Sequence, residues 1–153
     1  MSLAVRRAIA ADAARIAELS GVLGYPVEPR VLSVRLAHLL ARDDNAVFVA
    51  VAGDRVVGWI HGAEHELLEV GPMCEILGLV VDASARRRGA GGALVGAVEE
   101  WAASRGLPQV SVRSNIVRLE SHPFYERRGY TRVKTQHSYR KHLGVRPGGT
   151  LEI

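Results

Sequence analysis

The sequence predicts a mixed α/β fold built on one sheet, and three observations predict it. The front half carries apolar strand patterns joined by the two-residue turn Gly53-Asp54, which is hairpin chemistry and hence antiparallel. The back half runs strand, long helix, strand from Ile76 to Arg113, the pattern of a β-α-β crossover between parallel strands. Helices and strands follow one another through 153 residues with no internal repeat and no linker, which suits one hydrophobic core.

Taken in order, Leu3 to Ile9 reads as a first strand, apolar at Val5 and Ile9. Asp12 stands where it could N-cap a helix carrying Ile16 and Leu19, closed by Gly21 and Gly24. Pro29 suits the first turn of a second helix, whose Leu32, Leu36, Leu39 and Leu40 form a core-packing stripe ended by Asp43-Asp44-Asn45. Ala46 to Ala52 and Arg55 to Ala63 are the hairpin strands. A polar segment, Glu64 to Glu69, and Gly71-Pro72 lead into a strand from Met73 to Val81. The next helix carries Leu94, Val98, Trp101 and Ala102 at helical spacing and stops at Gly106 and Pro108. Gln109 to Arg113 alternates as a strand, Ser114-Asn115 begins a loop, and Glu120 to Arg128 is a short helix ended by Gly129. Tyr130 to Lys141 reads as a long last strand with Val133 its clearest apolar position. The order is β-α-α-β-β-β-α-β-α-β within a single domain over 1–143. Residues 144–153, with Gly144, Pro147, Gly148 and Gly149, read as a loose tail.

Composition narrows the function. Charged residues make up 24% and hydrophobic residues 48%, ordinary for a soluble globular protein. No apolar run approaches the roughly 20 residues of a membrane helix, and the N-terminus lacks the apolar core of a signal peptide. The single cysteine, Cys74, excludes an internal disulfide framework, fits a cytoplasmic location, and reads as a small strand residue. The net charge of +4 invites a nucleic-acid partner, but zinc spacing and leucine heptads are missing and aromatics are only 5%. Much of the positive charge sits in Arg86-Arg87-Arg88, directly before Gly89-Ala90-Gly91-Gly92-Ala93.

That placement has an electrostatic meaning. The first turn of a helix has N–H groups without internal partners, and the helix dipole puts positive charge there. Glycines leave those amides open to a phosphate, and three arginines add full charge, so a pyrophosphate is the natural occupant. No lysine follows the glycines, which excludes a P-loop. The sixth position of a dinucleotide fingerprint is Leu94, and several residues separate strand from glycines. What remains is Arg-x-x-Gly-x-Gly, filled by Arg86, Gly89 and Gly91.

With that motif and this element order, the chain resembles the GCN5-related N-acetyltransferases (GNAT) over roughly residues 3–143. The resemblance implies acetyl-coenzyme A as cosubstrate. Its pyrophosphate would lie on Arg86, Arg87, Arg88, Gly89, Ala90, Gly91, Gly92 and Ala93. Its pantetheine arm would follow Leu79, Val80 and Val81, where that strand splays from Gln109–Arg113. A backbone N–H near Leu79 or Val80 would meet the oxyanion, and Asn115 would contact the coenzyme or a bound water. The segment Phe124-Tyr125-Glu126-Arg127-Arg128-Gly129-Tyr130 is similar to the family's Phe-Tyr-x-x-x-Gly-Phe/Tyr run. There the tyrosine protonates the leaving thiolate, a role that falls to Tyr125. The chain departs from the common form where Arg118 replaces the usual Asn three residues before the small residue, here Ser121, and at Pro123, which requires the helix to start near Ser121. The run Arg118, Glu120, His122, Phe124, Tyr125 is similar to that of members acting on small amines, aminoglycoside-acetyltransferase-like proteins among them.

N-acetylation needs a neutral amine, a polarised thioester carbonyl and a stabilised thiolate. Glu75 is the candidate base, and alternation puts it on one strand face with Leu77 and Leu79. Glu64, Glu66 and Glu69 are rivals. His61 and His65, four apart in a strand-to-loop context, are not expected on one face, and no metal site is expected. Ser121 and His122 are adjacent in sequence, poor geometry for nucleophile and base. The implied activity is acetyl-coenzyme A-dependent N-acetylation by direct attack in a ternary complex. The acceptor is a small amine, aminoglycoside-like or polyamine-like, or a protein amine. The alternative is a non-catalytic coenzyme A-binding or sensing domain of the same fold. The resemblance mildly favours a homodimer.

Overall fold

Gly53 takes a φ of 66°, a left-handed conformation glycine adopts freely, and the chain reverses there from β2 (Asn45–Ala52) into β3 (Arg55–Leu67). This hairpin anchors the sheet in the computed structural model, which describes residues 2–22, 24–113, 121–146 and 150–151. β1 (Leu3–Arg7) pairs antiparallel with β2, and β4 (Gly71–Val81) pairs antiparallel with β3. β5 (Val110–Val112) pairs parallel with β4, so the sheet order is β1-β2-β3-β4-β5. The described residues fall into two units, 1–114 and 115–153.

In the first unit, α1 (Ala13–Val22) and α2 (Pro29–Leu40) cover one face of the sheet. Ile16, Leu19 and Leu36 are buried there with Val47, Val49, Val56 and Val80, and Trp59 packs against them. The β-α-β crossover runs through α3 (Ala90–Ser104), whose Leu94, Val95 and Val98 are fully buried on the other face. Two glycines of β3 set how closely α3 sits. A Cβ on Gly62 would lie 2.9 Å from Val98 Cγ1, and one on Gly58 would lie 3.0 Å from the Val80 carbonyl and 3.2 Å from Leu94 Cδ1. α3 ends as its sequence predicts, with Gly106 at φ 74° and the Leu107 N–H bonded to the Ala102 carbonyl.

The second unit holds α4 (Ser121–Glu126), with Pro123 in its first turn, and a two-stranded ladder of β6 (Val145–Arg146) and β7 (Thr150–Leu151).

Four local expectations are corrected. The polar segment after Ala63 is strand through Leu67, because β4 starts at Gly71 and gives those residues a ladder partner. Asp12 does not cap α1. It closes a 3-10 turn, Ala10–Asp12, where its carboxylate accepts the Ile9 N–H at 2.8 Å and two bonds from Arg6. The expected strand over 130–141 carries no strand structure. Residues 131–141 are exposed throughout, and Val133, its one clear apolar position, is 86% exposed and gives no face to bury. The supposed loose tail contains the β6–β7 pair.

Candidate active site

β4 and β5 stay together for three residue pairs, Cys74 with Val110, Glu75 with Ser111 and Ile76 with Val112. β4 then continues to Val81, and beyond Ile76 no described strand pairs with that edge. The backbone direction along this open edge follows from the antiparallel ladder. The Asp82 N–H bonds to the Val57 carbonyl at 2.8 Å, so Val80 and Gly78, opposite Trp59 and His61, also bond toward β3. The N–H and C=O groups of Leu79 and Val81 therefore point away from β3, into the fork. The Val81 carbonyl accepts a bond from Arg86 Nε at 3.2 Å. Val80, by contrast, directs its side chain into the core.

A β-bulge shapes the same strand. His61 pairs with Gly78 and Gly62 with Ile76, leaving Leu77 as an extra residue. Strict alternation would put Glu75, Leu77 and Leu79 on one face. With the bulge, Glu75 shares the α1/α2 face with Gly78 and Val80, opposite Ala63, His61 and Trp59, and Leu79 turns to the α3 face with Ile60.

Beyond the fork the chain makes a 3-10 turn, Ala83–Ala85, with Ala85 buried. Its entry is pinned. Asp82 accepts the Ser84 hydroxyl at 2.7 Å and lies 3.8 Å from Arg15, whose Nε holds the Val56 carbonyl at 2.8 Å. The Ser84 bond comes first in holding the Asp82 carboxyl below its usual pKa. Arg86, Arg87 and Arg88 follow, all exposed. Gly89 has φ 83°, which brings α3 off the loop without a side-chain cap. The helix's bond to Gly89 comes from the Ala93 N–H at 2.9 Å, so Ala90, Gly91 and Gly92 begin α3 with amides that lack a carbonyl one turn back. The arginines and the uncapped amides thus adjoin the open edge of β4 within one unit.

Glu75 lies at the crotch of the fork, its side chain 13% exposed. His65 Nε2 is 3.2 Å from Oε1, and Arg113 Nε is 3.7 Å from Oε2. The His65 contact meets the distance of an ion pair without the alignment of a hydrogen bond, so this buried nitrogen has no hydrogen-bond partner. His61, on the same face, meets the Asn45 amide oxygen at 2.8 Å, and burial lowers its pKa. His61 and His65 therefore do share a face, contrary to the sequence expectation, because β3 runs straight through both. The rival Glu64 turns to the α3 face, where Arg105 Nε holds it at 2.8 Å, and Glu66 alternates with it on that side. Period-2 spacing carried past Ala63 would have found His65. Nothing in the sequence pairs Arg113 with Glu75. Cys74 is fully buried, and burial pushes its thiol up to about 11.

Tyr125 lies on α4, in the second unit. Its ring meets Phe124 edge-on at 5.0 Å and Tyr130 at 5.8 Å, and burial raises its pKa, so the hydroxyl keeps its proton at neutral pH. Arg128 stacks 3.9 Å over Phe124 and donates to the Phe124 carbonyl at 3.1 Å. Asn115, Arg118 and Glu120 lie outside the described residues. Among the described residues, no group of three or more His, Cys, Asp or Glu could hold a metal ion, and no helix is long and apolar enough to cross a membrane.

A forked mixed sheet with two helices on one face and the crossover helix on the other is an acetyltransferase-type fold. The chain belongs to the acetyltransferase (GNAT) family, whose model matches residues 13–130. It is similar to an acetyltransferase of Trypanosoma brucei, with 26% identity, coverage of 92% of this chain and 100% of that one, and a TM-score of 0.77. AAC(6')-Iy in complex with the bisubstrate analogue CoA-S-monomethyl-acetylneamine matches with TM-score 0.83 at 19% identity, covering 94% of this chain and 100% of that one. Glucosamine-6-phosphate N-acetyltransferase from Arabidopsis thaliana matches with TM-score 0.78 at 21% identity, covering 92% and 99%. No curated protein matches this sequence.

Proposed function

We propose that this protein is an acetyl-coenzyme A-dependent N-acetyltransferase that joins the acetyl group to a primary amine by direct attack. The observation that carries the reading is the continuity of the open β4 edge with the uncapped start of α3. The outward N–H of Leu79 is aimed where a thioester oxygen would gain charge. The amides of Gly89 to Gly92 and the three arginines suit a pyrophosphate. That Glu75 lies beside the end of the β4–β5 pairing, where the fork begins, supports its role as base. It takes the proton of the amine, the amine nitrogen bonds to the acetyl carbon, the carbon–sulfur bond breaks, and Tyr125 protonates the departing thiolate. The raised pKa of Tyr125 supports that role, because an acid must still hold its proton when the thiolate leaves.

One neighbour holds an analogue built from CoA and acetylneamine, and another is named for glucosamine 6-phosphate. Both stand at identities that carry the fold alone. The buried thiol Cys74 suits a reducing, cytoplasmic setting.

The test is calorimetric titration with acetyl-coenzyme A, coenzyme A and ATP, followed by thiol release with a panel of amines. Selective coenzyme binding with amine-dependent release is the expected result. Equal binding of all three ligands would reduce the arginine–glycine run to a generic anion patch. Selective binding without release for any amine would favour the non-catalytic sensing domain.

A further inference from the structure

Glu75 is the only carboxylate that the described strands turn toward the α1/α2 face. β1, β2 and β5 contain no acid, and ladder pairing puts Glu64 and Glu66 on the opposite face. Among the described residues, the groups within ion-pair distance of Glu75 are cationic or can become so. His65 stands 3.2 Å from one of its oxygens and Arg113 stands 3.7 Å from the other. α1, which packs on β3 and β4 over the same face, carries one carboxylate, Glu18, and Arg15 holds it at 2.9 Å. Asp44, near the start of β2, is taken up by Arg42 and Asn45.

Exposure orders these groups. The Arg113 side chain is 82% exposed and Glu75 13%, so the guanidinium stands at the rim and the acid below it. The 3.7 Å contact is longer than a close charge-assisted bond, and among the described residues Arg113 forms no other ion pair. A polycation needs several free carboxylates. Here its second ammonium would meet arginine, and like charges repel. A single ammonium beside an anion meets complementary charge at both ends.

We propose that the acceptor is a small amine that also carries an anionic group, phosphate or carboxylate. Glu75 takes the ammonium end, and Arg113 takes the anionic end and sets specificity. The inference rests on the acetyl-transfer reading of the fork, and a binding measurement keeps the two separable.

The protein, saturated with coenzyme A, is titrated calorimetrically with matched amines. These are glucosamine 6-phosphate against glucosamine, 4-aminobutyrate against its amide, and spermidine. An anionic member is expected to bind at least about tenfold tighter than its neutral partner, the worth of one good charge-assisted contact. The phosphate and carboxylate pairs separate the two anion types. Arg113→Ala should erase the preference, and Arg113→Lys should restore part of it, since lysine keeps the charge without the planar fork. The exposed position makes either variant safe for folding. Spermidine or the neutral amines binding as tightly as both anionic ones would overturn the proposal. So would a preference that survives Arg113→Ala, or failure of both anionic amines to bind. Selective binding without thiol release would sink the acetyl-transfer reading and still support the charge preference.

Discussion

The contact between β3 and α3 offers a test with a worked magnitude. In Gly62→Ala the new methyl would sit 2.9 Å from Cγ1 and 3.3 Å from Cγ2 of Val98, so one or both must move. Val98 is β-branched, fully buried and helical, and therefore has one favoured rotamer and little room to yield. Overpacking of this kind costs about 1–3 kcal/mol. Replacing a strand glycine by alanine returns about 0.5–1 kcal/mol of backbone entropy. The net expectation is a loss of about 1–2 kcal/mol, or a fall in Tm of roughly 2–8 °C for a chain of this length. Val98→Ala alone should cost about 2 kcal/mol, for two buried methyl groups at about 0.8 kcal/mol each and the space they leave. The double variant removes the clash and partly fills the gap. Its loss should fall short of the summed single losses by more than about 1 kcal/mol. Urea unfolding of the four proteins gives the cycle. Additive losses would refute the claim that Gly62 sets the approach of α3, whatever the size of either single effect.

Three further outcomes follow from the site and the first turn. Gly91→Glu should abolish coenzyme A binding by calorimetry, because a carboxylate would stand among the amides proposed for the pyrophosphate; unchanged affinity would remove that assignment. Tyr125→Phe should lower kcat on the order of 100-fold with little change in coenzyme affinity, and a wild-type rate would strip Tyr125 of its acid role. Asp12 carries a pH signature: Arg6 chiefly holds its pKa down in the folded protein, so its stabilisation is present above the unfolded value and is lost as pH falls through the folded one. Urea midpoints between pH 7 and pH 3 should therefore fall more steeply below about pH 4 for the native protein than for Asp12→Asn, and parallel profiles would count against the pairing.

Much of the first unit was legible because its signals are local. Gly53-Asp54 has the chemistry of a tight turn, Pro29 opens α2, and Gly106 with Pro108 closes α3, so each element end is written in one or two residues. The arginine–glycine run was legible for the same reason. What escaped is what a partner decides. Glu64 to Glu66 are too polar to declare a strand, and they form one because β4 lies alongside. Tyr130 to Lys141 alternates enough to resemble a strand, yet one apolar position cannot define a buried face.

The bulge at Leu77 shows where such reasoning stops and what that costs at the site. A strict two-residue period holds only if neither strand gains a residue, and no composition rule marks which residue will be extra. One inserted residue moved Glu75 to the face opposite Leu79. That separation has chemical content. The side chain of Glu75 opens on the face shared with His65 and Arg113, while the backbone of Leu79 points along the sheet into the fork. An amine approaching Glu75 and a thioester lying on the β4 edge would thus arrive from different directions and meet near the end of the β4–β5 pairing. In the proposed reaction the bulge would let a single strand serve both reactants.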